Sequence, residues 1–288
     1  MFQFDLTEPL EREIRRLALD ELKDVDEALT DGEESLAERI HEARKRLKRV
    51  RAVLALVEGN APPEAVAAVA RSVRSAAHCL AAPRGNAALL RCLDDLVQKN
   101  PGSASSELRG ELEAREQRTT LEADEYLEQA REKLRDARRA AKDLSLNRDG
   151  FGAIADGFSK TYRKARRALG LARELGKVSD FHAFRKPSKR HFYQLRLLEG
   201  VWPALLQPQA SEVEQLGELL GEHHDLCLLS LELAKVAPRE AERELARVIE
   251  RRVRELESDA LARGARCFAE RPSAITRRIG RYFALAAR

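Results

Sequence analysis

Two short stretches of the chain concentrate side chains able to hold an anion. His41, Arg44, Lys48 and Arg51 recur at three- and four-residue intervals with Lys45 and Arg49 between them. His182, Arg185 and Lys189 repeat that spacing, with Lys186 and Arg190 beside them and Phe192 where a match to Arg51 would fall. On a helix the first set forms one stripe, turned roughly 110° from the Leu/Val face, so it borders the core and lines a groove between helices. Two such stripes facing one another would make a cationic furrow. Like charges at these intervals repel by a few tenths of a kcal/mol per pair on an isolated helix, and an anionic partner offsets that cost. Guanidinium groups fork onto phosphate oxygens through two hydrogen bonds while Lys acts as a mobile point charge, so a mixed Arg/Lys stripe suits a repeating phosphate chain. His41 and His182 have no Ser, Cys or carboxylate arranged for nucleophilic chemistry. Their expected part is to orient neighbouring Arg side chains or to donate a hydrogen bond to phosphate.

The elements that must position these residues are helices. Leu, Ala, Arg and Glu dominate, aromatic residues make up only 5%, and 43% of residues are apolar, enough for a sizeable core in 288 residues. Apolar periodicity predicts helices over about 10–29, over 36–57 (Leu36, Ile40, Ala43, Leu47, Val50, Leu54, Val57), and over roughly 64–81 and 86–99. A long interrupted helix is predicted over 106–144. After a linker at 147–152 helices follow at 158–169, 181–199, 211–236 and 239–268. Thr30-Asp31-Gly32, Gly59-Asn60 before Pro62-Pro63, and Asn100-Pro101-Gly102 mark stops. No strand is expected.

A shift of 141 residues places His41 on His182, Arg44 on Arg185, Lys45 on Lys186, Lys48 on Lys189, Arg49 on Arg190 and Leu54 on Leu195. Val57-Glu58-Gly59 then falls on Leu198-Glu199-Gly200, which predicts two related halves, 1–147 and 148–288.

Charge is segregated rather than large. The net +4 comes from 52 basic and 48 acidic residues. Six Lys or Arg stand against one Glu between His41 and Arg51, and five stand with no acid between Lys160 and Arg167, whereas 107–132 is rich in Glu. Such segregation points to an anion held at particular places. The four cysteines form no CxxC pair and read as reduced, packed thiols. Met1 to Leu10 does not resemble a secretion signal and no run approaches eighteen apolar residues, so a cytoplasmic protein with no membrane contact is expected. No metal or other cofactor is implied.

The paired motifs, His41-x-x-Arg44 with Lys48-Arg49-x-Arg51 and His182-x-x-Arg185-Lys186 with Lys189-Arg190, resemble the CHAD domain, a histidine-bearing α-helical family. Tyr162-Arg163-Lys164-Ala165-Arg166-Arg167, Leu219-Leu220-Gly221-Glu222-His223-His224-Asp225 and the stretch from Arg252 to Pro272 are similar to that family as well. The resemblance implies an all-α fold of two antiparallel four-helix bundles related by a pseudo-twofold axis, with a basic cavity between them. It also implies binding of inorganic polyphosphate without turnover, with association with polyphosphate granules as a corollary. Carried over residue by residue, the implied contacts are His41, Arg44, Lys45, Lys48, Arg49 and Arg51 in the first half. In the second they are Tyr162, Arg163, Arg166, Arg167, His182, Arg185, Lys186, Lys189 and Arg190. Phe192, Pro187 inside the second stripe, and Pro83-Arg84-Gly85 depart from the family pattern. Pro187 is expected to kink or restart its helix.

Other readings make different demands. A metal-dependent phosphohydrolase of the HD type would need His224-Asp225, His182 or His191, and Asp259 to converge on one cation. A nucleic-acid-binding module would expose aromatic rings among its basic residues, whereas Tyr162, Phe181, Phe184 and Phe192 are few and placed to pack. A helical scaffold for an acidic protein needs only the charge. The glycine-containing stretch 151–157 lacks a Lys-Ser/Thr and is no P-loop. Oligomeric state is not encoded in any of these patterns.

Overall fold

The computed structural model describes residues 2–30, 34–237 and 239–287, with backbone alone for 82–84. The predicted stop at Asp31-Gly32 and the Pro83-Arg84 side chains thus lie outside the described residues. Eleven α-helices follow one another: α1 (Leu10–Thr30), α2 (Leu36–Val57), α3 (Pro63–Cys79), α4 (Ala81–Lys99), α5 (Ser106–Leu121), α6 (Ala123–Ala141), α7 (Ala155–Leu175), α8 (Val178–Leu197), α9 (Pro203–Leu233), α10 (Glu240–Cys267) and α11 (Pro272–Ala286). Among the described residues there is no strand.

Local chemistry sets most of the boundaries. Ser35 caps α2 in a reciprocal box: its hydroxyl accepts from the Glu38 N–H, and the Glu38 carboxylate accepts from the Ser35 N–H at 3.1 Å. Pro63, Pro203 and Pro272 occupy first-turn positions, where a missing N–H costs nothing. Gly176 ends α7 in the left-handed region at φ 62°, which a residue with a Cβ adopts only at a cost. The interruption expected in 106–144 is the junction of α5 and α6 at Glu122. One helix, α11, goes beyond the sequence reading, although its buried Ile275, Ile279 and Phe283 recur every four residues behind Pro272.

Pro187 neither ends nor restarts α8, which runs through it to Leu197. Proline leaves the carbonyl of Ala183 without its helical partner. Ala183 is exposed, so water can take that bond. Arg185 and Lys189 therefore stay one turn apart on one continuous helix.

Three apolar clusters hold the chain. The first is built from α1, α2, α3 and α6, around Leu22, Leu47, Val73 and Leu134. The second joins α7, α8, α9 and α11 to the first turns of α1 and the last turns of α2. In the third, Leu93 of α4 and Leu108 of α5 pack with Leu229 of α9 and Leu245 of α10, so a helix pair that precedes residue 147 shares its core with two helices that follow it. α2 belongs to two clusters, Ile40 to Leu54 in one and Val53 to Val57 in the other. Its last turn meets the first turn of α7 at Gly157, where a Cβ would stand 2.1 Å from the Leu56 carbonyl oxygen. Only a residue without a side chain permits that approach.

His191 of α8 lies in the second cluster, its ring centroid 5.2 Å from those of Phe158 and Tyr162 and 5.7 Å from Phe268. Neither ring nitrogen has a hydrogen-bond partner, and burial pushes its pKa down to about 3. The imidazole is neutral in the folded protein but takes a proton in the unfolded chain below its ordinary value of 6.5. Because the unfolded state binds more protons there, stability falls with pH by about 1.4 kcal/mol per unit between 6.5 and 3. Urea titrations at pH 7 and pH 5 should therefore show about 2 kcal/mol more acid destabilisation in the native protein than in His191→Phe. Equal losses in the two proteins would place the acid sensitivity elsewhere.

Candidate functional site

α2 and α8 pack against one another, and a cavity of about 940 Å³ opens beside them, walled also by α1 and α9. From α2 it receives His41, Lys45, Arg46, Lys48 and Arg49, and from α8 it receives Arg185, Lys189 and Arg196. Its lining is mixed, because α1 contributes Asp20, Glu21 and Asp24 and α9 contributes Glu214, Glu218, Glu222 and Asp225. Seven Lys or Arg therefore meet seven Asp or Glu around His41.

The cations on the α1 side are held by neighbours. Arg49 stands 3.1 Å from Glu21 and lies over the Phe2 ring at 5.0 Å. Arg46 bridges Glu42 at 3.0 Å and also bonds Asp24, while Lys45 pairs with Glu42 at 3.1 Å. Burial pushes the Glu21 carboxyl up, against the pull of Arg49 and Arg46.

On the α8 side the arrangement is steric. The Lys189 stem lies across the bare backbone of Gly217, where a Cβ would be 2.7 Å from its Cε, and Arg185 lies beside Gly221, where a Cβ would be 3.6 Å from the guanidinium. Gly217 and Gly221, one turn apart on α9, thus form a trough that seats two cationic stems. Burial and then Arg185 hold the Lys189 ammonium below its usual pKa, partly offset by Glu218 and Glu214. Its Nζ is 5.7 Å from the Phe192 centroid.

His41 also borders a cavity of about 740 Å³ among α4, α9 and α10, together with Glu222 and Asp225. There Arg252 bonds Glu222 at 2.7 Å and Glu255 at 3.1 Å. Burial followed by Asp225, Glu222 and Asp95 pushes the Cys92 thiol up to about 12, so it is protonated and not a nucleophile at neutral pH. All four cysteines are unbridged.

Of the residues singled out from sequence, His41, Lys45, Lys48, Arg49, Arg185 and Lys189 share the larger cavity. Arg51 and Arg190 line a separate one of about 370 Å³ with Arg74. Arg44 donates to the Ala77 carbonyl of α3 at 2.6 Å. Tyr162 is in the core, its hydroxyl 3.5 Å from the Cys267 carbonyl. Arg163 and Arg167 are exposed on α7, where Arg166 donates to the Glu270 carbonyl, and Lys186 is exposed on α8. His182 turns to α9, with its Nδ1 3.2 Å from Nδ1 of His224. Burial, then Lys186 and Arg185, lower its pKa, which favours the neutral ring. The sequence reading gives no anion-site role to Arg46, Arg196, Gly217 or the acidic wall, and Gly221, Glu222 and Asp225 enter it only in the stretch that resembles the family, with Asp225 also in the HD-type alternative. Two glycines one turn apart inside a helix, each costing about 1 kcal/mol relative to Ala, were a signal for the trough.

Among the described residues no three His, Cys, Asp or Glu side chains gather in a metal-holding group, and no described helix is long and apolar enough to cross a membrane. The described residues thus form an all-helical domain in which a histidine and basic residues from α2 and α8 line one cavity. The CHAD domain model matches residues 13–234, from the first turn of α1 to the end of α9, and the chain belongs to that family. No curated protein matches it.

The trough makes a specific expectation. Gly217→Ala should displace the Lys189 stem, which can swing away, so its ammonium pKa should rise toward 10.5 in an NMR titration of the Lys Cε. The melting temperature should hold or rise, since Ala favours the helix by about 1 kcal/mol. An unchanged Lys189 titration would show that the glycine does not seat it.

Proposed function

We propose that this protein binds inorganic polyphosphate without turning it over, along the cavity between α2 and α8. The observation that carries the reading is that Lys48 of α2 and Arg185 and Lys189 of α8, far apart in sequence, line one cavity. In this reading residues 1–147 and 148–288 are repeat halves related by a pseudo-twofold axis passing near the α2/α8 contact, with α1, α2, α3 and α6 as one four-helix bundle and α7 to α10 as the other.

The balanced lining is compatible with a polyanion because the opposing acids differ in how tightly they are held. Glu214 and Glu218, which face Lys189, are exposed and can rotate into water, and such surface pairs contribute only about 0–1 kcal/mol. Phosphates arriving at Lys189 therefore displace little. Each phosphate neutralised also releases counterions, which gives the affinity its salt dependence. Arg185 supplies a two-pronged contact and Lys48 and Lys189 supply adaptable point charges, which suits a flexible chain without fixed register.

Two observations favour this reading over its rivals. Tyr162, Phe181, Phe184 and Phe192, the rings in and beside the basic runs, are all buried, and Phe2, the half-buried ring of the cavity lining, lies under Arg49 at 5.0 Å. Of the residues the HD-type reading would use, His182 and His224 meet at 3.2 Å, but among the described residues no three His, Cys, Asp or Glu gather in a group that could hold a metal ion. The cytoplasm, including polyphosphate granules, is the setting in which such a protein would act.

The test is a Lys48→Ala/Arg185→Ala/Lys189→Ala variant. Affinity for long-chain polyphosphate should fall steeply, and the slope of log affinity against log salt should flatten by about 0.7 for each phosphate contact removed, as for single-stranded nucleic acids. Arg185→Lys should recover part of the loss relative to Arg185→Ala. The melting temperature should be maintained, because none of the three side chains belongs to an apolar cluster. Wild-type affinity in the folded triple variant would overturn the assignment, and so would phosphate release from polyphosphate by the native protein.

A further inference from the structure

The smaller cavity, about 370 Å³, has a different chemistry from the larger one and shares no lining residue with it. Three helices each deliver one guanidinium to it: Arg51 from α2, Arg74 from α3 and Arg190 from α8. Among the described residues, no carboxylate stands within ion-pairing distance of any of the three, unlike Arg46 and Arg49 on the other side of α2. The cations also act on one another. Partial burial and then Arg74 lower the pKa of Arg51, and burial and then Arg51 lower that of Arg190. Glu58 is the one carboxylate in the lining, and its Oε1 is taken by Lys160 of α7 at 2.5 Å. Glu58 also acts on Arg190, so one carboxylate shared with Lys160 faces three guanidinium groups, an excess of positive charge that a bound dianion would offset.

The opposite wall is apolar. Pro63, Val66, Ala67 and Ala70 lie along the face of α3 that leads to Arg74, and Ala55 of α2 stands across from them. A polyphosphate chain, charged and hydrated along its whole length, has no use for such a wall. A phosphate monoester does, because its dianionic end suits the forked donors while an apolar body can cover the alanine surface.

We propose that the pocket between α2, α3 and α8 is a binding site for a phosphate monoester with an apolar or aromatic body, with Arg51, Arg74 and Arg190 on the phosphate and Val66, Ala67 and Ala70 on the body. The site shares no residue with the larger cavity, although Arg51 and Arg190 are among the polyphosphate contacts that the family resemblance implies.

Calorimetric titration of the full chain with phenyl phosphate, inorganic phosphate and phenol tests it. Phenyl phosphate should bind about tenfold more tightly than inorganic phosphate, the gain expected for burying part of a ring, and phenol should not bind measurably. Arg74→Ala, a change at an exposed position of α3, should weaken both phosphates at least about tenfold, and Arg74→Lys should recover part of that. Ala70→Leu should fill the apolar wall and abolish the advantage of phenyl phosphate while inorganic phosphate still binds. Equal affinity for the two phosphates, or titrations that Arg74→Ala leaves unchanged in a folded variant, would overturn the proposal. Full displacement of phenyl phosphate by polyphosphate that persists in the Lys48/Arg185/Lys189 variant would overturn it as well, by making this pocket part of the polyphosphate path. Failure of native protein to bind polyphosphate would leave these titrations intact and would count only against the larger cavity.

Discussion

The arrangement of this protein depends on the approach of α2 to α7 and α8. At Gly157 the backbone of α7 comes so near the Leu56 carbonyl that no side chain fits between them. That contact commits α2 to two cores at once. Its first four turns pack with α1, α3 and α6, and its last turns pack with the aromatic core of α7 and α8. A helix buried on two sides leaves only narrow flanks for its Lys and Arg residues, and those flanks become the walls of cavities. The same contact sets α2 beside α8, so cations separated by some 140 positions in sequence act on a common space.

Within that space the sequence's excess of charge is organised by two devices. On the α1 side, carboxylates hold Arg46 and Arg49, giving a wall that is rigid and nearly neutral. On the α9 side, glycines make room for the stems of Lys189 and Arg185, and the nearest acids, Glu214 and Glu218, are exposed. A polyanion can displace exposed acids cheaply and buried pairs only at high cost. The α8 wall is therefore where a phosphate chain would engage first. The pocket around Arg51, Arg74 and Arg190 lies on another flank of α2 and has neither device, with Glu58, shared with Lys160, as the carboxylate of its lining.

Much of the scaffold was legible in the sequence because local patterns decide it. The run from Leu36 to Val57, with Ser35 before it, Glu38 in its first turn and Gly59 after it, specifies α2 to the residue. The continuity of α8 through Pro187 was not legible, since it rests on the exposure of Ala183. Nor was the length of α9, where Pro208 sits inside the helix near its start. For the site, residue types and repeat spacing located the two cationic helices, and helical angle alone suggested that Lys48 and Arg51 share one stripe. In the fold they are divided between two cavities, because neighbours on either side of α2 differ. Tyr162 shows the same limit, since its place beside His191 and Phe268 is set by tertiary packing that no local spacing encodes. The cavity role of the acids from α1 and α9 is hidden for a related reason: tertiary packing alone buries Glu21, while Glu214 and Glu218 are ordinary exposed residues of their helix.

The central claim is that a cavity between α2 and α8 recognises a phosphate chain rather than any polyanion. Equilibrium binding of long-chain polyphosphate, double-stranded DNA and RNA to the native protein at matched ionic strength tests it most directly. With Phe2 covered by Arg49 and with Phe192 and Tyr193 buried in the cavity lining, polyphosphate is predicted to bind with clear preference and neither nucleic acid to displace it. Equal affinity for all three would contradict the account and reduce the basic faces to a nonspecific electrostatic surface.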